Sequence, residues 1–146
     1  MTSQELSKKW NLPLRLLWID GDHSFKGAQD DYLGFCRHLQ EGGIVAFHDI
    51  INGFSGPLQV FSNEVVQDKR FGACGIVGSI GWAQYIGKKP NHFLKEKEIL
   101  YIKLAKLLPH VANPKMGRIE KFQFKIKRAF IRHNMVNEND WVAKIG

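Results

Sequence analysis

The stretch LLWIDGDHSF, residues 16–25, drives four apolar side chains (Leu16, Leu17, Trp18 and Ile19) straight into Asp20, Gly21, Asp22 and His23. Read backwards, LRLLWI (14–19) is short, apolar and bounded by turn residues, the pattern of a strand buried on both faces. Read forwards, Phe25, Ala28, Tyr32, Phe35, Cys36 and Leu39 recur at helical spacing, with Lys26, Gln29, Asp30, Asp31, Arg37 and His38 on the other side. That spacing predicts a helix over 25–40, closed by Gly42 and Gly43. A second apolar run, GIVAFHDI (43–50), again ends in polar residues, His48 and Asp49. Strand, helix, strand is the grammar of a parallel sheet with helical crossovers. Ligands of such sheets sit beyond the carboxyl ends of the strands. The charge at 20–23 and 48–49 therefore marks a site at the tips of two core strands.

On either side of this unit the chain continues in the same style. Thr2 and Glu5 have capping-box spacing, which predicts a short helix ended by Asn11 and Pro13, with Leu6 and Trp10 on one side. After the loop NGFSGP, a helix is expected near LQVFSNEVVQ, and FGACGIVGSIGWAQYIG (71–87) has the β-branched and aromatic content of one or two closing strands. Its glycines at 75, 78 and 81 are not the dinucleotide fingerprint, because no helix follows; tight sheet packing accounts for them. FLKEKEILYIKLAKLL (93–108) predicts a lysine-rich amphipathic helix. RIEKFQFKIKRAFIRH (118–133) fits a basic helix with Ile119, Phe122, Ile126 and Phe130 on one face, although its Phe122, Phe124, Ile126 alternation also allows a strand.

Composition bounds what such a chain can be. With 146 residues, a hydrophobic fraction of 44%, ten Phe and four Trp, it is expected to fold around one buried core. Cys36 and Cys74 lack CxxC spacing and read as reduced thiols. With no long apolar run and no signal-peptide pattern at MTSQELSKKW, cytoplasmic localisation is expected. Charge is unevenly spread: residues 1–87 carry seven Lys or Arg against nine Asp or Glu, and residues 88–146 carry fourteen against five. Two parts are expected on that basis, an α/β unit over 1–87 and a basic, mainly helical extension over 88–146.

Two adjacent parallel strands would gather Asp20, Asp22, His23, His48 and Asp49. Carboxylates together suit a hard divalent cation such as Mg²⁺, and an imidazole beside them suits proton removal from a hydroxyl near neutral pH. The competing structural role is plain: Asp22 or Ser24 is equally well placed to cap the following helix. Asp30 and Asp31 read as solvated helix-face residues, as do His38, His92, His110 and His133. Trp18 and Phe25 can line an acceptor pocket as readily as they can pack the core.

In order and spacing, IDGDHSFKGAQDDYLGFCRHLQEGGIVAFHDI resembles the second half of class I S-adenosylmethionine-dependent methyltransferases, in the branch of small-molecule O-methyltransferases with an IDGDH-type motif. The resemblance covers roughly residues 3–87. It implies a partial Rossmann-like methyltransferase sheet, strands four to seven, with the basic helical segment appended. It also implies S-adenosylmethionine as cofactor and O-methyl transfer to a hydroxyl on a small molecule or sugar. Carried over residue by residue, Asp20 and Asp49, and less directly His48, become metal ligands, while Asp22 and His23 become substrate-side or base residues. The glycine-rich turn after the first strand and the acidic residue ending the second, which hold the methyl donor in that family, have no counterpart in the sequence. The resemblance therefore implies a truncated or split catalytic domain, completed by an N-terminal half, a homo-oligomer or a partner chain. No cofactor-binding residue is assigned.

Two other classes compete. Asp20-Gly21-Asp22 is a D-x-D motif of the kind nucleotide-sugar glycosyltransferases use to hold Mn²⁺ against a diphosphate. Alternatively the chain is non-catalytic, and the basic segment 115–133, interleaved with phenylalanines, meets a membrane surface or nucleic acid.

Overall fold

In the computed structural model, residues 1–113 and 115–131 are described. Helix α1 (Ser3–Ser7) opens with the reciprocal cap that its sequence predicts: Glu5 N donates to Thr2 Oγ1 at 3.2 Å and Thr2 N donates to Glu5 Oε2 at 2.9 Å. Strand β1 (Leu14–Ile19) leads through residues 20–24 into helix α2 (Phe25–Cys36), which starts where Ser24 Oγ accepts from Gly27 N at 3.0 Å. The end of α2 departs from expectation. The helix stops at Cys36, and Leu39 already begins strand β2 (Leu39–Phe47).

Gly42 and Gly43 thus do not close the helix. They lie inside β2, where pairing with β1 jumps from Leu14↔Leu39 to Leu16↔Ile44. Gly42 turns the bulge at φ +82°, a region that glycine enters without penalty. Glycine after a periodic run signals a helix cap or a strand bulge, and only pairing with a neighbouring strand separates the two. Leu39 is buried in either case, so the apolar period could not mark the boundary.

Helix α3 (Ser55–Val60) starts earlier than its sequence suggests and continues as a π-helical turn over Phe61–Val66. Strands β3 (Phe71–Val77) and β4 (Ile80–Tyr85) form a hairpin; Gly81 backs onto Ile50 and Phe61 as the tight-packing reading expects, whereas Gly78 sits in the hairpin turn at φ +64° with open space at its Cβ position. The sheet order is β1-β2-β4-β3; β1 and β2 are parallel, and β4 runs antiparallel to both its neighbours. The protein is thus mixed α/β. Helix α4 (Leu94–Val111) spans the predicted segment and carries Pro109 in its last turn. Helix α5 (Arg118–Ile131) resolves the helix-or-strand ambiguity in favour of helix, while Arg132 and His133 lie outside the described residues.

One apolar core joins these elements. Tyr32, Val45, Phe47, Phe61 and Phe71 meet there with Leu100, Leu104 and Leu107 from α4. Helix α4 is therefore packed into the core of the sheet layer, basic surface notwithstanding. Lys97 goes in with it, and its ammonium donates to the carbonyls of Asp68 and Phe71 at 2.5 Å each. Burial lowers the Lys97 pKa. Both cysteines are free, and burial pushes the Cys74 thiol up to about 12.

β1 is not buried on both faces. Leu17 and Ile19 point into the core, but Leu16 is 57% and Trp18 48% exposed. The strand is one of the two outer strands of the sheet, and its Leu16–Trp18 face is open among the described residues. An apolar run in sequence reports only that a strand is unsuited to water, not whether both faces are covered within the same chain.

The turn between the π-helical segment and β3 yields a pH prediction. Burial raises the Asp68 carboxyl, but hydrogen bonds from Arg70 Nε, Nη2 and N outweigh it and hold the group below its usual value. The folded pKa lies below the unfolded one, so the stabilisation is complete above 3.8 and is lost as pH falls through the lowered folded value. Thermal melts of wild type and Asp68→Asn should therefore differ at pH 6 and draw together well below pH 3.8. A gap that stays constant across that range would contradict this assignment.

Candidate active site at the strand tips

Parallel pairing in register (Ile19↔Phe47) puts the carboxyl ends of β1 and β2 side by side, fastened by His48 N donating to Ile19 O at 2.9 Å. Asp20 and His48 follow immediately, and their side chains meet, His48 Nδ1 lying 3.0 Å from Asp20 Oδ1. The next residue, Asp49, adopts φ +55°, a left-handed conformation that Asp tolerates better than most residues. Asn52 Nδ2 donates to Asp49 Oδ1 at 2.6 Å. That leaves Asp49 Oδ2 between two imidazoles, 3.5 Å from His48 Nδ1 and 3.6 Å from His23 Nε2.

His23 arrives from the β1–α2 loop and is clamped by Phe54, their rings stacked at 4.2 Å with 17° between planes. Among the described residues its buried Nε2 has no hydrogen-bond partner, which is costly for a polar atom unless a group enters to meet it. The four side chains form one continuous series, Asp20–His48–Asp49–His23.

Asp22 is not in that series. Its carboxylate accepts from Ser24 N at 2.9 Å and Ser24 Oγ at 2.8 Å, and those bonds hold its pKa below the usual value. Asp22 braces the turn, and Ser24 caps the helix.

The cation site expected from Asp20, His48 and Asp49 is not formed. The three side chains are close, His48 Nδ1 lying 3.0 Å from Asp20 Oδ1 and 3.5 Å from Asp49 Oδ2. Among the described residues no group of three or more His, Cys, Asp or Glu is arranged to hold a metal ion. The D-x-D reading is likewise not favoured, since Asp20 and Asp22 are committed to different partners. Asp30 and Asp31 are not idle surface charges: they tie α1 to α2 by accepting from Gln4 Nε2 (2.9 Å) and Ser3 Oγ (2.5 Å).

Beside the cluster, an open groove of about 500 Å³ runs along β1, its lining including Trp10, Leu16, Trp18 and Phe35 together with Asp20 and Asp31. The Trp18 and His48 ring centroids are 6.0 Å apart, so groove and cluster adjoin. Phe54, Asn52 and Gly56 escape sequence reasoning because they lie in NGFSGP, whose composition says only that the chain turns. An aromatic residue shortly after the strand-end His48-Asp49 pair was the one available hint.

Residues 1–50 match the family model described as a methyltransferase domain. The matched span carries α1, β1, α2 and β2, all four members of the series (Asp20, His23, His48 and Asp49) and the turn-bracing Asp22. The match supports S-adenosylmethionine-dependent methyl transfer as the general class of chemistry. No helix among the described residues is long and apolar enough to cross a membrane.

Proposed function

We propose that the chain carries the acceptor side of an S-adenosylmethionine-dependent O-methyltransferase acting on a hydroxyl of a small molecule or sugar. The observation that carries the reading is the Asp20–His48 pair at 3.0 Å across the tips of two adjacent parallel strands. A carboxylate on one ring nitrogen fixes the tautomer and orientation of an imidazole, leaving the other nitrogen to take a proton. His48 Nε2 is then the base that accepts the proton of the acceptor hydroxyl as its oxygen attacks. The Asp49 carboxylate lies next along the series, 3.5 Å from His48 Nδ1, with His23 on its far side. Phe54 and Trp18 supply apolar walls that exclude water from an acceptor ring.

The donor, when bound, supplies an activated methyl group, so positioning and proton removal are what this chain must contribute. Its residues fit the donor only in part. The groove offers apolar and aromatic surface suited to a purine, but its lining contains no Lys or Arg to face the donor's carboxylate. On this reading a further segment or partner chain adds to the free edge of β1 and completes the donor site, strands β1 to β4 standing for strands four to seven of the full sheet.

The test uses methyl-labelled S-adenosylmethionine with panels of phenols, catechols, sugars and amines. Label is expected on oxygen, with a donor KM at or above the ~1 mM upper end of the usual enzyme range. Label on nitrogen or carbon alone would refute the reading.

A further inference from the structure

Helix α5 has two apolar faces, and the fold uses one. Ile131 is buried, Phe124 packs against the core, the His110 ring lies 6.2 Å from Phe124, and Lys127 Nζ meets His110 Nε2 at 2.7 Å. Those contacts fix which way the helix is rolled against α4. The roll turns a second row outward: Ile119 (75% exposed), Phe122 (64%), Ile126 (42%) and Phe130 (80%). Steps of three, four and four residues keep the row on one stripe. Arg118, Lys121, Lys125 and Arg128 follow on one flank and Lys127 on the other, against Glu120 as the single acid of the helix. The fourteen residues make a rod of about 21 Å.

We propose that α5 docks the protein on an anionic lipid surface, its outward stripe in the headgroup–acyl boundary and its cations on the lipid phosphates and carboxylates. Charge complementarity selects an acidic partner, and the stripe selects lipid over nucleic acid. Phosphate-backbone binding places cations at the centre of the contact, whereas here two isoleucines and two phenylalanines hold the centre and the cations flank them, the layout of an in-plane interfacial helix. Isoleucine has no face on which a base can stack. A contiguous apolar row of this kind is rare on a protein surface that meets only water. The inference does not depend on the methyl-transfer reading, because its test needs no donor or acceptor.

The full chain is floated with vesicles of phosphatidylcholine alone, or with about 30% phosphatidylserine to set an anionic surface potential, at low and high salt. Expected is binding to the anionic vesicles that weakens with salt. Phe122→Ser with Phe130→Ser should cut partitioning at least about tenfold, and Lys121→Glu with Lys125→Glu about fivefold for each cation removed. All four side chains are exposed, so the thermal melt of both variants should match wild type. Equal binding to neutral vesicles, no binding at low salt, or binding that survives both variants would overturn the proposal. So would capture of a single-stranded oligonucleotide that both variants abolish while vesicles are ignored.

Discussion

Gly56→Ala should lower stability by about 3 kcal/mol, the upper end for a methyl forced into a packed site, and should damage the strand-tip cluster in the same step. Gly56 is buried at the start of α3, and a Cβ there would sit 2.3 Å from His23 O, 2.4 Å from the Ser24 carbonyl carbon and 2.6 Å from Phe25 N. All three are backbone atoms, so no rotamer change relieves the contact. Either α3 withdraws or the 23–25 segment shifts, and both moves pull Phe54 away from the His23 ring. A fall in Tm of roughly 10 °C is expected in a scanning calorimeter, together with displaced imidazole resonances of His23 by NMR. An alanine variant with wild-type Tm and unshifted His23 signals would show that α3 does not set the loop position.

His48→Asn should reduce methyl-transfer turnover about a thousandfold, in the middle of the range for removing a positioned base, while changing stability by no more than about 1 kcal/mol for one lost hydrogen bond. The side chain is a third exposed and its partner Asp20 is more open still, so little packing is lost. Asp20→Asn should cost less, because the amide can still hold the ring though it no longer stabilises the imidazolium. Initial rates at saturating donor separate the cases. Turnover unchanged in His48→Asn, with the acceptor still methylated on oxygen, would move the base to His23, the other imidazole on Asp49.

The two strand tips were legible in the sequence because apolar runs followed abruptly by Asp and His have few physical explanations. LLWI into Asp20 and IVAF into His48 predict β1, β2 and their joint end, and both strands stand where the runs lie. The capping box at Thr2 and Glu5 and the helical face beginning at Phe25 were equally local and equally readable. The assignment of α5 to helix came from its register of Ile119, Phe122, Ile126 and Phe130, against a competing alternation, and needed the structure to decide.

What the sequence by itself determined is the set of short-range facts: which runs are apolar, which residues cap, and which polar residues end each strand. Tertiary structure alone decided the rest. Gly42 is a bulge and not a helix cap because β1 pairs across it. Asp22 braces Ser24 while Asp20 reaches His48, although the two aspartates are two residues apart, since β2 lies beside only one of them. The expected cation set became an alternating series of carboxylates and imidazoles because Asp49 turns left-handed and faces two imidazoles, one of them held by Phe54 from a loop that composition leaves blank. Pairing, register and loop closure join residues far apart in sequence, and local pattern holds no record of that geometry.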